Sequence, residues 1–407
     1  FKKYNLLSPE VDDTNKIDFS FIDQQRFVLP NGTYDFDIKI VDINNNTIPF
    51  ESNESVYIYY PSDKIAISDI ELIESFTKST EQNILTKSGF DLVPYIFNYY
   101  PEKINKLTFY AEIYNTEKIM GEKERFLATY YIEAFETSKY IAGLRKFKKE
   151  TSGDVIIAFN EFELTNLPSG NYNLVIEIRN KENKLITVGK LFFQRSNPNI
   201  KIDYNDIAAV DAENSFASKY TDKDSLAGMI RSLQPISTEM EKIFADNQIK
   251  NGDVQIMQKF FLNFWNNRNE LNPEQAWYDY KLELEKTDNN FGTSIRRGYE
   301  TDRGRVYLQY GPPNTMTKQH SEPSAYPYEI WHYYKLGNQS NKKFVFYSPQ
   351  MATNDFELIH SDAVGEVNNY SWQIMINKRN TQTNSIDDTR GTRHWGNKAE
   401  EFFNDPR

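Results

Sequence analysis

The chain has no cysteine among its 407 residues, which excludes disulfides, thiol nucleophiles, zinc–thiolate sites and iron–sulfur clusters. Positive charge is in deficit: 47 Lys and Arg stand against 58 Asp and Glu, a net charge of −11 with a sequence pI near 5.1. Without a global positive field to collect phosphates, no nucleic-acid partner is expected. No stretch approaches the roughly 18 apolar residues that cross a bilayer as a helix. Histidine is scarce at four, and His320, His332, His360 and His394 lack metal-ligand spacing, so neither metal nor cofactor is expected. The HExxH, GxSxG and GxxxxGK[ST] patterns are missing as well. Asp42, Asn44 and Asn46 offer oxygens at alternate positions, but the glycine and closing glutamate of an EF-hand loop are not there.

What the chain does have is aromatic surface, with 28 Phe, 27 Tyr and 5 Trp, enough for several packed cores. Its length suggests two to four domains at about 100–200 residues each. The opening Phe1-Lys2-Lys3, without Met, fits a signal peptide or lipid anchor upstream of Phe1.

The first 200 residues read as strands and contain a repeat. Leu29-Pro30-Asn31-Gly32-Thr33-Tyr34-Asp35-Phe36-Asp37-Ile38-Lys39-Ile40 matches Leu167-Pro168-Ser169-Gly170-Asn171-Tyr172-Asn173-Leu174-Val175-Ile176-Glu177-Ile178 at a spacing of 138 residues. In each copy a Pro/Gly turn precedes alternating apolar residues, Tyr34, Phe36, Ile38 and Ile40 or Tyr172, Leu174, Ile176 and Ile178, which predicts one buried strand face. Polar turns follow at Asn44-Asn45-Asn46 and Lys181-Glu182-Asn183, so each copy is expected to be a hairpin closing an immunoglobulin-like sandwich. Strand patterns over 65–73, 107–114, 126–135, 140–147, 155–162 and 185–193 fill the second unit. The expectation is a partial β-sandwich over 1–62 and a full one over 63–200. The basic run Arg145-Lys146-Phe147-Lys148-Lys149 either touches an anionic surface or, as the stronger alternative, protects an edge strand.

Beyond residue 200 the pattern changes. All five tryptophans and all four histidines lie after residue 260, and apolar spacing becomes helical. Leu226, Met229, Ile230 and Leu233 follow a candidate cap at Thr221. Met240, Ile243 and Phe244 form a second stripe. Ile256, Phe260, Phe261, Phe264 and Trp265 form a third, and Asn272-Pro273-Glu274 opens a helix toward Trp277 and Tyr278. Gly298-Tyr299-Glu300-Thr301-Asp302-Arg303-Gly304-Arg305 then reads as a turn whose glycines take special backbone angles, with Val306, Leu308 and Tyr310 as a strand ended by Gly311-Pro312-Pro313. Strands are expected at 328–334, 343–347 and 356–360. The fold class is therefore multidomain: two all-β immunoglobulin-like sandwiches, an α+β domain over 201–362 and an extended C-terminal tail over 363–407.

The segment Gly298 to Arg305, with Tyr310-Gly311-Pro312-Pro313, Tyr328-Glu329-Ile330-Trp331, Phe344-Val345-Phe346, and Phe264-Trp265 and Arg268 upstream, closely resembles the GWxTD-domain family of bacterial envelope proteins. Tyr299 stands where the name-giving tryptophan would. The resemblance spans roughly residues 205–362, and the sandwiches before it are similar to the family's architecture in Bacteroidota. It implies an exported protein of the periplasm or outer membrane, with no established reaction.

Two kinds of chemistry compete at the motif. Asp302, Arg303, Arg305, Glu329 and His332 could line a hydrolytic cleft, a carboxylate acting as base and an arginine clamping an anion. The favoured alternative has Asp302 capping a turn and an arginine pinning the loop through a carboxylate. In the tail, Asn380 to His394 contains one aliphatic residue, Ile386, and cannot fold alone. Trp395, Phe402 and Phe403 are its candidate anchors, on its own domain or on a partner. The function expected first is a non-catalytic scaffold or accessory subunit of an outer-membrane assembly or secretion complex, with other envelope proteins as partners. The alternatives are an envelope hydrolase around Asp302 and a carbohydrate-binding protein using Tyr99 and Tyr100.

Overall fold

The computed structural model describes residues 2–7, 10, 22–43, 49–200, 211–322, 325–337, 339–350, 354–377, 398–404 and 406. Asn44 to Asn46, the segment 201–210, the polar stretch from Asn380 to His394 and Trp395 lie outside them. The described chain is β-rich in its first half and mainly helical, with one sheet, in its second.

Strands β1 (Gly32–Ile40) and β2 (Phe50–Ile58) pair antiparallel, Gly32 opposite Ile58 and Ile40 opposite Phe50. The Tyr34 hydroxyl donates to the Pro30 carbonyl at 2.9 Å, and Asn31 clasps the far end, its side chain exchanging bonds with the Tyr60 backbone. Among the described residues no third strand joins them. In place of the partial sandwich expected over 1–62, the described residues there form a two-stranded hairpin.

The next unit comprises β3 (Ala66–Ile67), β4 (Glu71–Lys78), β5 (Thr86–Lys87), β6 (Phe90–Pro94), β7 (Tyr99–Tyr100), β8 (Lys106–Tyr114), α1 (Thr116–Met120), β9 (Arg125–Ala134), β10 (Tyr140–Thr151), β11 (Val155–Glu163), β12 (Gly170–Arg179) and β13 (Leu185–Arg195). One sheet runs β10-β9-β12-β13-β7; the facing sheet runs β11-β8-β4-β6-β5, with β3 beside β8. Alternate residues of β8, β9 and β12, among them Phe109, Ile113, Tyr130, Leu174 and Ile176, are buried between the sheets. The single strand expected over 65–73 is two, because β3 and β4 pair with different parts of β8.

The second half contains α2 (Lys223–Ser232), α3 (Glu239–Asn251), α4 (Val254–Arg268), α5 (Pro273–Phe291) and α6 (Asp302–Tyr310), then β14 (Thr315–Gln319), β15 (Tyr328–Leu336), β16 (Gln339–Tyr347), β17 (Glu357–Ser361), α7 (Trp372–Ile376) and α8 (Ala399–Asn404). Helix starts follow capping chemistry: Asp222, one residue after the expected cap, accepts from the Ser225 amide, and Thr238 and Glu241 form a reciprocal capping box. Asn272 caps α5 ahead of Pro273. Phe260, Phe261, Phe264, Trp265, Trp277 and Tyr280 fill the helical core.

The four-stranded antiparallel sheet β14-β15-β16-β17 is covered on both faces. Trp331, Tyr333, Phe344 and Phe346 pack on Phe291 of α5 and Val306 of α6. Tyr328, Ile330, Val345 and Ile359 pack on Trp372 and Ile376 of α7 and on Ala399, Phe402 and Phe403 of α8. Of the two placements open for the candidate anchors, the structure puts Phe402 and Phe403 on their own domain, while Trp395 lies outside the described residues. A sheet whose strands are apolar on both faces needs cover on both, and the end of the chain supplies the second layer.

Candidate functional site

The turn before α6 is built by local chemistry that overrides the apparent strand. Thr301 Oγ1 accepts from the Gly304 amide at 3.1 Å and donates to the Gly298 carbonyl at 2.8 Å, capping a helix that begins at Asp302. Gly311 ends it with a φ of 81°, its amide on the Tyr307 carbonyl, and Pro312 follows, exposed. A strand would put Val306, Leu308 and Tyr310 on one face. The helix sends Val306 and Tyr310 toward the sheet and Leu308 toward the helical core.

Gly298 and Gly304 do not have the left-handed backbone expected of them; positive φ occurs elsewhere. Their role is close approach. A Cβ on Gly304 would sit 1.8 Å from the Gly298 carbonyl oxygen and 2.7 Å from Thr287 Cγ2, and one on Gly298 would sit 2.3 Å from the Thr287 carbonyl oxygen. The motif therefore lies backbone to backbone on α5, and the Gly298 amide donates to Asp288 Oδ1 at 2.6 Å.

The charged residues are bound internally. Arg303 Nη1 meets Glu329 Oε1 at 2.9 Å, with side chains 4 % and 1 % exposed. Arg303 Nη2 reaches the Asn354 carbonyl and side chain, and the guanidinium lies over Phe356 and Phe291 at 4.1 and 5.3 Å. Glu329 Oε2 accepts from Trp331 Nε1 at 3.0 Å. Burial pushes the Arg303 pKa down, opposed by the Glu329 charge and hydrogen bond. Arg305 forms a fork with Glu366 at 2.8 and 2.7 Å, and the Tyr310 hydroxyl joins the same carboxylate at 2.8 Å. Burial works against the Arg305 charge, but the hydrogen bond and charge of Glu366 outweigh it and hold the pKa up. Asp302 is not the cap; its Oδ2 accepts from the Leu358 amide at 2.8 Å, tying α6 to β17. Tyr299 is half-buried, and burial raises its hydroxyl pKa.

The structure does not assemble the expected cleft. Glu329 and Trp331 face α6, whereas His332, one residue out of phase on β15, points to the other face and meets Asn341 Oδ1 at 2.7 Å. Two clefts lie away from the motif. One cleft of about 360 Å³ runs between Tyr57, Tyr60 and Val188, and one of about 560 Å³ between Lys190, Tyr334 and Gln339. Among the described residues no group of three or more His, Asp or Glu is placed to hold a metal.

Tyr99 and Tyr100 do not form a strip: Tyr99 is 47 % exposed and Tyr100 1 %. The basic run lies on β10, a sheet edge, where Lys146 bonds Asn160 Oδ1 and Lys148 pairs with Glu150. Sequence reasoning missed Thr287, Asp288, Asn354 and Glu366 as partners of the motif. No local pattern marks them, since Asn354 and Glu366 lie 51 and 61 residues from the arginines they hold.

The GWxTD domain matches residues 202–379. No curated protein matches the chain. Among solved structures, a β-glucuronidase of Bacteroides uniformis is 19 % identical over 21 % of this chain and 11 % of its own, with a TM-score of 0.18. An immunoglobulin-like protein of Pseudomonas aeruginosa is 12 % identical over 33 % of this chain and 98 % of its own, at 0.17. Astrotactin-2, a vertebrate perforin-like membrane protein, is 9 % identical over 63 % of this chain and 43 % of its own, at 0.17. Overlaps this poor carry neither fold nor function across.

Proposed function

Given that residues 202–379 are a GWxTD domain, we propose that this protein is a non-catalytic scaffold or accessory subunit of an assembly in the bacterial cell envelope, acting through contacts with other proteins. The observation that carries this reading is the internal occupation of the motif: Arg303, Arg305, Asp302 and Glu329 are all bonded within the domain. Their chemistry joins α5, α6, the sheet and residue 366 into one body, as a structural motif requires. Exposed apolar side chains lie elsewhere, including Phe97, Tyr140, Phe147 and Tyr370, and clusters of these are what a partner covers. The two-sheet unit is of immunoglobulin-like type in this reading, supported by the Tyr172 hydroxyl bonding back to the Pro168 carbonyl at 3.1 Å, a corner such sandwiches use. A lipid anchor upstream would place the chain at the outer membrane.

The test is affinity purification of the protein from gently solubilised envelopes, followed by mass spectrometry. Stoichiometric envelope partners are expected. Isolation of the protein alone, together with a hydrolytic turnover that Asp302→Asn abolishes without lowering the melting temperature, would replace the scaffold with the hydrolase.

A further inference from the structure

In the sheet β10-β9-β12-β13-β7, Tyr172, Leu174, Ile176 and Ile178 of β12 turn into the sandwich core, so Asn173 and Val175 turn to the outer face. There, side chains from three neighbouring strands share one oxygen. Glu133 on β9 stands directly opposite Asn173, and Lys190 on β13 stands opposite Val175, a diagonal from Asn173 that a long side chain spans. Asn173 Nδ2 donates to Glu133 Oε1 at 2.9 Å, and Lys190 Nζ donates to the same Oε1 at 2.5 Å. An amine and a carboxamide are thus held side by side across one carboxylate.

The cluster is withdrawn from water. Glu133 is 2 % exposed and Asn173 9 %, and the Lys190 side chain is 23 % exposed. Phe192, opposite Asn173 on β13, is buried against Phe135. A Cβ on Gly365 would sit 3.2 Å from the Phe192 ring, so the GWxTD domain closes over this part of the face. A nucleophilic nitrogen, an acyl carbon and a proton carrier fixed in contact are what acyl transfer within a chain requires.

We propose that Lys190 and Asn173 become joined by an intramolecular amide bond, which the folded chain forms by itself with Glu133 as proton relay. Glu133 takes a proton from the Lys190 ammonium, and the neutral Nζ attacks Asn173 Cγ to form the new C–N bond. Glu133 delivers that proton to Nδ2 and takes a second from Nζ as the Cγ–Nδ2 bond breaks. Ammonia leaves, carrying the second proton away as ammonium and returning Glu133 to its carboxylate. No oxidant, reductant or co-reactant enters. Lys190 also borders the cleft shared with Tyr334 and Gln339, which gives the ammonium a way out.

The bond would staple β12 to β13 around their turn, and β13 is the strand that leads on toward the GWxTD domain. In a chain without cysteine no disulfide can do this, and an amide persists in any redox compartment. The inference does not depend on the scaffold reading, because it concerns the covalent structure of the chain itself.

Intact-mass spectrometry of the purified protein, with tandem spectra of its tryptic peptides, tests it. The mass should fall short of the sequence mass by one ammonia, about 17 Da. Trypsin should not cut after Lys190, and one branched peptide should join the segments that carry Asn173 and Lys190. Lys190→Arg, which keeps the charge, and Glu133→Gln, which keeps the shape but removes the relay, should each show the full mass of their own sequences while circular dichroism reports a folded protein. The full sequence mass in the unsubstituted protein, even after prolonged incubation, overturns the proposal without recourse to any variant. A loss of ammonia that maps to Asn31-Gly32 or Asn251-Gly252, where an asparagine can close on its own backbone, also overturns it. So does a loss undiminished in Glu133→Gln.

Discussion

The two hairpins β1–β2 and β12–β13 share a turn, a strand pattern and a tyrosine corner, and they meet different surroundings. Tyr172 is 4 % exposed, between two sheets, whereas Tyr34 is half-buried and lies in no core cluster of the described residues. The equivalence expected of the two rings is therefore local; they hold the same place in their hairpins but not the same place in a core. The lesson concerns what alternation means. An apolar face on a strand is a demand for cover, and whether the demand is met depends on residues far away in sequence.

The largest effect expected is the difference between Tyr172→Ala and Tyr34→Ala. The first should cost about 3–5 kcal/mol, as truncation of a fully buried aromatic does, and the second under about 1 kcal/mol. Urea midpoints followed by circular dichroism measure both, and equal losses would mean that the first hairpin is covered after all. Glycines give a second contrast. Gly32→Ala meets only the Tyr34 ring at 3.5 Å and should be nearly silent, whereas Gly304→Ala drives a methyl into the Gly298 carbonyl. That overpacking should cost about 1–3 kcal/mol or more, and a neutral melting temperature would refute the close approach of motif and α5.

Phe403→Ala extends the comparison to the sheet face that the end of the chain covers. Phe403 packs tilted against Trp372 and His360 at 5.2 and 5.4 Å and is partly exposed, so about 1–3 kcal/mol should be lost, less than for a buried ring. No change in stability would return the segment to the role of a partner-binding tail. Removing one hydroxyl is subtler: Tyr172→Phe should cost about 0.5–1.5 kcal/mol through its bond to Pro168, and Tyr34→Phe less, since water replaces a half-exposed partner.

The smallest effect expected is a pH dependence at the same covered face. Burial pushes the His360 pKa below its usual value, partly opposed by Asp362, and Nδ1 accepts from the Asn369 amide at 3.1 Å, which requires the neutral ring. Because the folded pKa is depressed, the unfolded chain takes up the proton first. The His360 contribution is thus fully present above about pH 6.5 and declines as pH falls from there toward the folded pKa. Denaturation midpoints between pH 7.5 and 5.5 should fall, and His360→Gln should flatten that slope; an unchanged slope in the variant assigns it to other groups.

Much of the second half was legible because helices announce themselves locally. Thr238 with Glu241, and Asn272 with Pro273, mark starts through bonds that each segment makes with itself. The motif misled for an instructive reason: Val306, Leu308 and Tyr310 satisfy a period of two, but Thr301 three residues before Gly304, and Gly311 at the far end, carried the helix signal. Glu329 stood among the motif's candidate residues, but the other partners were illegible, since nothing near Arg303 points to Asn354 and nothing near Arg305 points to Glu366.

The sequence by itself determined the helices before Gly298, the alternation of the strands and the repeated turn-and-strand pattern of the two hairpins, because each rests on bonds and spacings within a few residues. Only the tertiary structure decided that the motif glycines serve contact rather than conformation, that the arginines join helix to sheet, and that Phe402 and Phe403 close the sheet's second face. It also decided that, of two like hairpins, β12–β13 is buried between two sheets. Each of these depends on atoms brought together from tens of residues apart, and the energy of such contacts exists only once the chain has folded.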